Sequence, residues 1–222
     1  MAAKILYFVV TLCILILLYY GASYATPYKA AELPVTFIDR NISFHIAFAY
    51  IYISFYLLFL NAIIRSEKTN SLLCAISIIL NTLIASFIFY FFPTRMPAAI
   101  YSNEEHTNYF LSRLVQSLDV KNNCFPSLHI ANACTAAFYL AIQRKLAVKF
   151  FIGAWLILIC WSVLSTGQHY FYDIIGGIFV SLISLVLIRK LIQRNNLRIW
   201  KGQQHSREPS QENDFLKETA DI

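Results

Sequence analysis

Six apolar runs, each near the length that crosses a bilayer, constrain this chain more than any other feature. They cover about 5–21, 44–64, 71–92, 127–142, 150–166 and 170–188. A hydrocarbon layer of about 30 Å takes about 20 helical residues to cross, and backbone groups inside it must find partners within the helix. The expected fold class is therefore all-α: a polytopic membrane helical bundle of about six transmembrane helices. Composition excludes a water-soluble core, because 58% of the 222 residues are hydrophobic and 14% charged. The formal charge of +6 comes with no basic stripe interleaved with exposed aromatics, so nucleic acid is not an expected partner. Cys13, Cys74, Cys124, Cys134 and Cys160 form no CxxC and no metal-ligand spacing, and only Cys124 falls outside the apolar runs. No disulfide framework is expected.

Basic residues set the orientation. Lys4, the turn at 65–68, the turn with Arg144, Lys145 and Lys149, and the run Arg189, Lys190, Arg194, Arg198 and Lys201 all fall on one side of the layout. The positive-inside rule makes that side cytoplasmic, with both termini inside. Arg113 and Lys121 in the 93–126 loop oppose the rule and are outnumbered. The loops at 24–42, 93–126 and 167–169 then face the periplasm, the cell exterior or an organelle lumen. Residues 1–192 are expected to form the membrane domain and 193–222 a polar, disordered cytoplasmic tail. The small residues at 22–25 fit a signal-peptidase site, but the run before them is long enough to span, which favours a retained helix. Low glycine and short loops give the chain a bacterial look. A bacterial plasma membrane, with the site facing outward, is the expected location.

Three polar clusters share the outer boundary. Pro93–Pro97, with Arg95, leaves the third run; Cys124–His129 enters the fourth; Ser165–His169, with Asp173 one turn on, joins the fifth to the sixth. In the last cluster the four-residue spacing puts His169 and Asp173 on one helix face. The carboxylate then holds one ring nitrogen and leaves the other as nucleophile or base. These residue types suit phosphoryl transfer through a covalent intermediate, with His169 attacking phosphorus and Asp173 fixing its tautomer. His129 would protonate the departing oxygen and later activate the acceptor. Arg95 offers a planar fork to phosphate oxygens. Pro126 suits a first helical turn, where backbone N–H groups and the Ser127 hydroxyl meet an anion. No carboxylate cluster of the kind magnesium favours is evident, so neither a metal nor another cofactor is expected.

The PSLH segment at 126–129 and HYFYD at 169–173, behind an arginine-proline segment, resemble the motifs of the type-2 phosphatidic acid phosphatase superfamily. The resemblance covers roughly residues 90–178 in motif order. It implies His169 as the phosphohistidine nucleophile, Asp173 as its partner, His129 as acid/base, and Arg95 and Ser127 as phosphate ligands. The chain departs from the family pattern at two cations: Ile88 stands where a lysine is usual and Val163 where an arginine is usual, although Ser162 fits the preceding serine. Lys121, Arg113 and Gln168 are further candidates for the site. The expected substrate is a phosphorylated lipid within the bilayer, carrying a phosphate monoester or pyrophosphate; the oligomeric state is not legible.

Blander roles compete at several positions. Ser127 is equally well read as a plain helix-start hydroxyl, and a boundary arginine such as Arg95 also snorkels to head groups. His45 lies where it could line the site. Glu104, Glu105 and His106 read better as a solvated loop than as a metal site. The aromatic run 87–92 reads as lipid-facing surface and interfacial belt. Two other activities compete with hydrolysis. The reduced cation set and HYxxD are also similar to the branch with inositol phosphorylceramide and sphingomyelin synthases, which transfer to a lipid alcohol. A proton-coupled transporter or an inactive scaffold is the rival of another class; a transporter would spread polar residues through the membrane depth, whereas the inner half of every run reads as apolar.

Overall fold

The structure is a computed structural model, and it describes residues 1–43, 45, 47–95, 120, 122–142 and 144–205, with side chains as far as residue 194. Among these residues the elements are α1 (Ala2–Ala25), β1 (Ala31–Glu32), α2 (Phe37–Asn41), α3 (Phe48–Arg65), α4 (Lys68–Phe91), β2 (Thr94–Arg95), α5 (Leu128–Ala141), α6 (Leu146–Ser165) and α7 (Phe171–His205). Helices α1, α3, α4, α6 and the Phe171–Arg194 part of α7 are long and apolar enough to cross a bilayer. The all-α expectation holds, and the chain is a multi-pass membrane protein.

The fourth expected span, α5, is shorter. Its 14 residues rise about 21 Å, against about 30 Å of hydrocarbon. The described residues just before it, 122–127, are irregular backbone, which a membrane protein tolerates only where protein groups satisfy it. They do so here. Cys124 N–H donates to the Thr94 carbonyl (3.1 Å), Phe125 N–H to Thr94 Oγ1 (2.8 Å), and Ser127 N–H to the Asp173 carbonyl (3.0 Å). The Phe125–Pro126 peptide is cis.

Two compact units divide the chain, Met1–Leu185 and Val186–Ile222. In the first, α1 packs along α4, and α3 packs against α5 and α6. The two ends of this unit are distinct. At one end Lys4 Nζ donates to the Ile64 and Ser66 carbonyls (3.0 and 2.5 Å), and Arg144 donates to the Arg65 carbonyl (2.7 Å). Cations there meet the carbonyl-rich C-terminus of α3. At the other end Thr26 Oγ1 donates to the Tyr90 carbonyl (2.6 Å), and His45 N–H to the Ser165 carbonyl (3.0 Å). Of the basic residues read as one-sided, Lys4, Arg65 and Arg144 meet at one end of this unit. In the second unit α7 continues as helix to His205, so residues 193–205 of the expected tail are helical, and 206–222 lie outside the described residues.

Two features lie beyond what hydropathy showed. A two-stranded parallel sheet pairs Ala31 with Thr94 and Glu32 with Arg95. A buried polar seam also links the helices: Asn81 Nδ2 donates to the Ala131 carbonyl, Asn132 Oδ1 and Thr135 Oγ1 (3.2, 3.1 and 2.9 Å), Thr135 meets Ser181 (2.9 Å), and Ser77 meets the Tyr139 hydroxyl (3.1 Å). The inner halves are therefore not wholly apolar. These residues are uncharged and hydrogen-bond one another across helix interfaces, where a run's average hydropathy hides them, although the buried Asn81 Oδ1 itself finds no partner among the described residues.

Candidate active site

Helix α6 ends in a tight reversal. Gly167 takes φ 69°, a left-handed conformation that glycine adopts without steric cost. The Val163 carbonyl accepts from both Gln168 N–H (3.1 Å) and His169 N–H (3.3 Å). This sets His169 two residues before α7. Asp173, in the first turn of α7, places Oδ2 2.8 Å from Tyr170 N–H and 3.3 Å from His169 Nδ1. The carboxylate thus caps the helix start and orients the imidazole at once. His169 is 5% exposed and Asp173 is fully buried. With Nδ1–H directed at the carboxylate, Nε2 keeps its lone pair.

His129 occupies the first turn of α5, with its ring centroid 6.1 Å from that of His169. The Tyr52 hydroxyl lies 3.0 Å from His129 Nε2 and 3.3 Å from Nδ1, and Phe55 meets the ring edge-on at 5.5 Å. Ser127 is the N-cap of α5; its hydroxyl accepts from Ile130 N–H (3.4 Å) and is fully buried. The helix-start role is therefore realised. Two glycines make the juxtaposition of α5 and α7 possible. A Cβ on Gly176 would stand 2.5 Å from the Phe125 ring, and one on Gly177 would stand 2.5 Å from the Ser127 carbonyl oxygen. The N-termini of α5 and α7 so converge, and their partial positive charges favour an anion between them. Val163 is buried, Ile88 is half-buried, and neither side chain supplies charge.

The remaining candidates are placed unevenly. Thr94 carries the Arg95 strand to the residues that precede Ser127, so the arginine and PSLH segments are joined. The Arg95 guanidinium itself pairs with Glu32 at 3.3 Å, with both side chains half exposed; a pair so solvated is worth about 0–1 kcal/mol, little to give up for a phosphate. Gln168 is half-buried and makes one long bond to the Thr166 carbonyl (3.5 Å). His45 is exposed, with its ring 6.3 Å from Phe48. Arg113, Lys121, Glu104, Glu105 and His106 lie outside the described residues.

Asp39 is the residue that sequence reading missed. It is 4% exposed, closes a capping box on α2 with Thr36 (2.8 and 2.6 Å to N–H and Oγ1), and accepts Phe171 N–H at 2.9 Å through its second oxygen. One carboxylate thus fixes α2 and the first residue of α7. Asp39→Ala is expected to lower turnover by about 10²-fold, the scale of an ångström-sized misplacement of a catalytic group. Thr36→Val loses only cap bonds, about 1 kcal/mol, and should cost much less turnover. Equal losses in kcat for the two variants would show that Asp39 acts only as a cap.

With this geometry in view, comparison with known proteins is informative. A family model described as the PAP2 superfamily matches residues 30–187, a span that includes Arg95, Ser127, His129, His169 and Asp173. The crystal structure of Aquifex aeolicus LpxE aligns at 25% identity over 65% of this chain and 82% of its own, with a TM-score of 0.48. No curated protein matches the chain.

Proposed function

The chain belongs to the PAP2 superfamily, and on that premise we propose that it is an integral membrane lipid phosphatase that hydrolyses a lipid phosphate monoester or pyrophosphate. The observation that carries this reading is the pair of imidazoles, 6.1 Å apart, one of them held by Asp173. With their ring centroids this close, both imidazoles can reach one phosphoryl group, one to attack phosphorus and the other to protonate the departing oxygen.

In the first step His169 Nε2 attacks phosphorus, the phosphorus–oxygen bond to the lipid breaks, and His129 gives its proton to the departing oxygen. Asp173 stabilises the positive charge that forms on His169. In the second step His129 takes a proton from water, the hydroxide attacks phosphorus, and the phosphorus–nitrogen bond breaks to release inorganic phosphate. Arg95 and the two helix N-termini balance charge on the phosphoryl oxygens. The end of the bundle opposite Lys4 and Arg144 holds these groups, which by the positive-inside rule is the periplasmic or lumenal face. The convergence at one end of the bundle of His169, Asp173 and His129 speaks against a transporter, whose ionisable groups line a path through the depth.

The test is phosphate release from a panel of lipid phosphates by the full-length protein in nanodiscs. Release is expected to persist with a chelator present, and quenching in alkaline detergent should trap phosphate on His169 in a linkage that is stable to alkali and labile to acid. Release that stops on chelation would sink the metal-free mechanism. Transfer to an added lipid alcohol, with no free phosphate from any lipid, would assign the chain to the synthase-like branch instead.

A further inference from the structure

Between α1, α3 and the first turn of α5 lies a cavity of about 150 Å³. Leu12, Ile16, Ile53 and Phe55 supply its apolar wall, and Tyr52 and His129 meet at its polar end. Ile16 on α1 is 45% exposed, whereas Phe55 is 2% exposed. The space therefore runs from the lipid-facing surface of a membrane span to the half-buried imidazole of His129. Asn132 also borders it, but its Oδ1 accepts from Asn81 (3.1 Å). Its carbonyl is thus committed to the helix interface.

The reading of His129 as the acid fixes what this cavity receives, and the inference rests on that reading. The proton from His129 goes to the oxygen that bridges phosphorus and the lipid, so the first carbons of the leaving group lie against the imidazole. The space adjoining that imidazole is apolar and open toward hydrocarbon. An apolar cavity of about 150 Å³ in another protein holds a benzene ring, about six carbons. We propose that this cavity takes the first carbons of one hydrocarbon chain, so that single-chain prenyl or alkyl phosphates are preferred over diacylglycerol phosphates. The two ester-linked chains of the latter diverge from glycerol within that distance and are too wide for the space.

The experiment has two arms, both on the full-length protein in nanodiscs. In the first, kcat/KM is measured for farnesyl phosphate and for a diacyl phosphatidic acid. Farnesyl phosphate is expected to be favoured by about tenfold or more, the scale of a pocket that gains or loses a few carbon contacts. Ile16→Trp, which fills the mouth, should cut that ratio by about tenfold. In the second arm a farnesyl phosphate analogue carries a photoreactive diazirine near the phosphate. Crosslinks are expected on Leu12, Ile16 or Ile53. Labelling there without phosphate release from either lipid would uphold the cavity and overturn the hydrolase. Equal or better turnover of phosphatidic acid, a ratio indifferent to Ile16→Trp, or labelling confined to other helices would overturn the cavity assignment while leaving the hydrolase intact.

Discussion

His169→Ala is expected to lower phosphate release by at least about 10³-fold, because the variant loses the atom to which phosphorus bonds. The imidazole bonds Asp173, and Asp173 keeps its 2.8 Å bond to Tyr170 N–H without it. The helix start therefore survives, and the thermal midpoint in detergent should move little. Asp173→Asn is a sharper companion. Its shape is retained, but an amide can present nitrogen to Nδ1 and favour the wrong tautomer; a comparable exchange in a serine protease costs about 10⁴-fold. Acid-labile labelling should vanish in the first variant and fall in the second. Full activity in His169→Ala would remove the phosphohistidine from consideration.

Gly177→Ala should produce the largest structural effect from the smallest change. The added methyl would stand 2.5 Å from the Ser127 carbonyl oxygen, 3.0 Å from Ile130 Cβ and 3.2 Å from the Ala131 nitrogen. Two of these are backbone atoms at the start of α5, which cannot rotate away. Relief requires moving α5 from α7, which stretches the Ser127–Asp173 backbone bond and parts His129 from His169. Overpacking costs typically about 1–3 kcal/mol, and an ångström of separation costs about 10²-fold in rate. Both the thermal midpoint and kcat should fall, whereas KM for a lipid anchored by its chain should change less. Gly153, whose Cβ would meet nothing within 4 Å, gives the control: Gly153→Ala should leave both unchanged.

Legibility in the sequence followed the distance over which each interaction acts. The long apolar runs survive any tertiary arrangement, so the helices could be read directly. His169 and Asp173 are four residues apart, so their pairing was legible, but His169 precedes α7 and the carboxylate reaches it by capping the helix start, not along a helix face. Ser127, His129, Asn132 and Thr135 interrupt the fourth run, which was nevertheless expected to span; the 14-residue length of α5 was not legible. Asp39 was illegible because its partner, the Phe171 amide, lies 132 residues away and is a backbone group with no identity in the sequence. The same holds for β1 and β2, whose two-residue strands have no period to detect. Glycines at 176 and 177 read only as a small-residue pair; what they avoid is a carbonyl on another helix.

The short reach of α5 bears on the enzyme's surroundings. Helices α5 and α6 are joined at their inner ends by the turn at 142–145, yet α6 has 20 residues and α5 has 14. A 14-residue helix is about 9 Å shorter than a 20-residue one, so the end of α5 that carries His129 is set back relative to the length of α6. The enzyme works at the bottom of a notch in an oily slab, whose depth is set by protein on one side and by neighbouring lipids on the other. Thicker bilayers cost a fraction of a kcal/mol per ångström to accommodate and deepen the notch for water, the second substrate. Bilayer thickness is then a rate-setting variable, and reconstitution in lipids of graded acyl length should slow phosphohistidine hydrolysis before it slows the lipid's own entry.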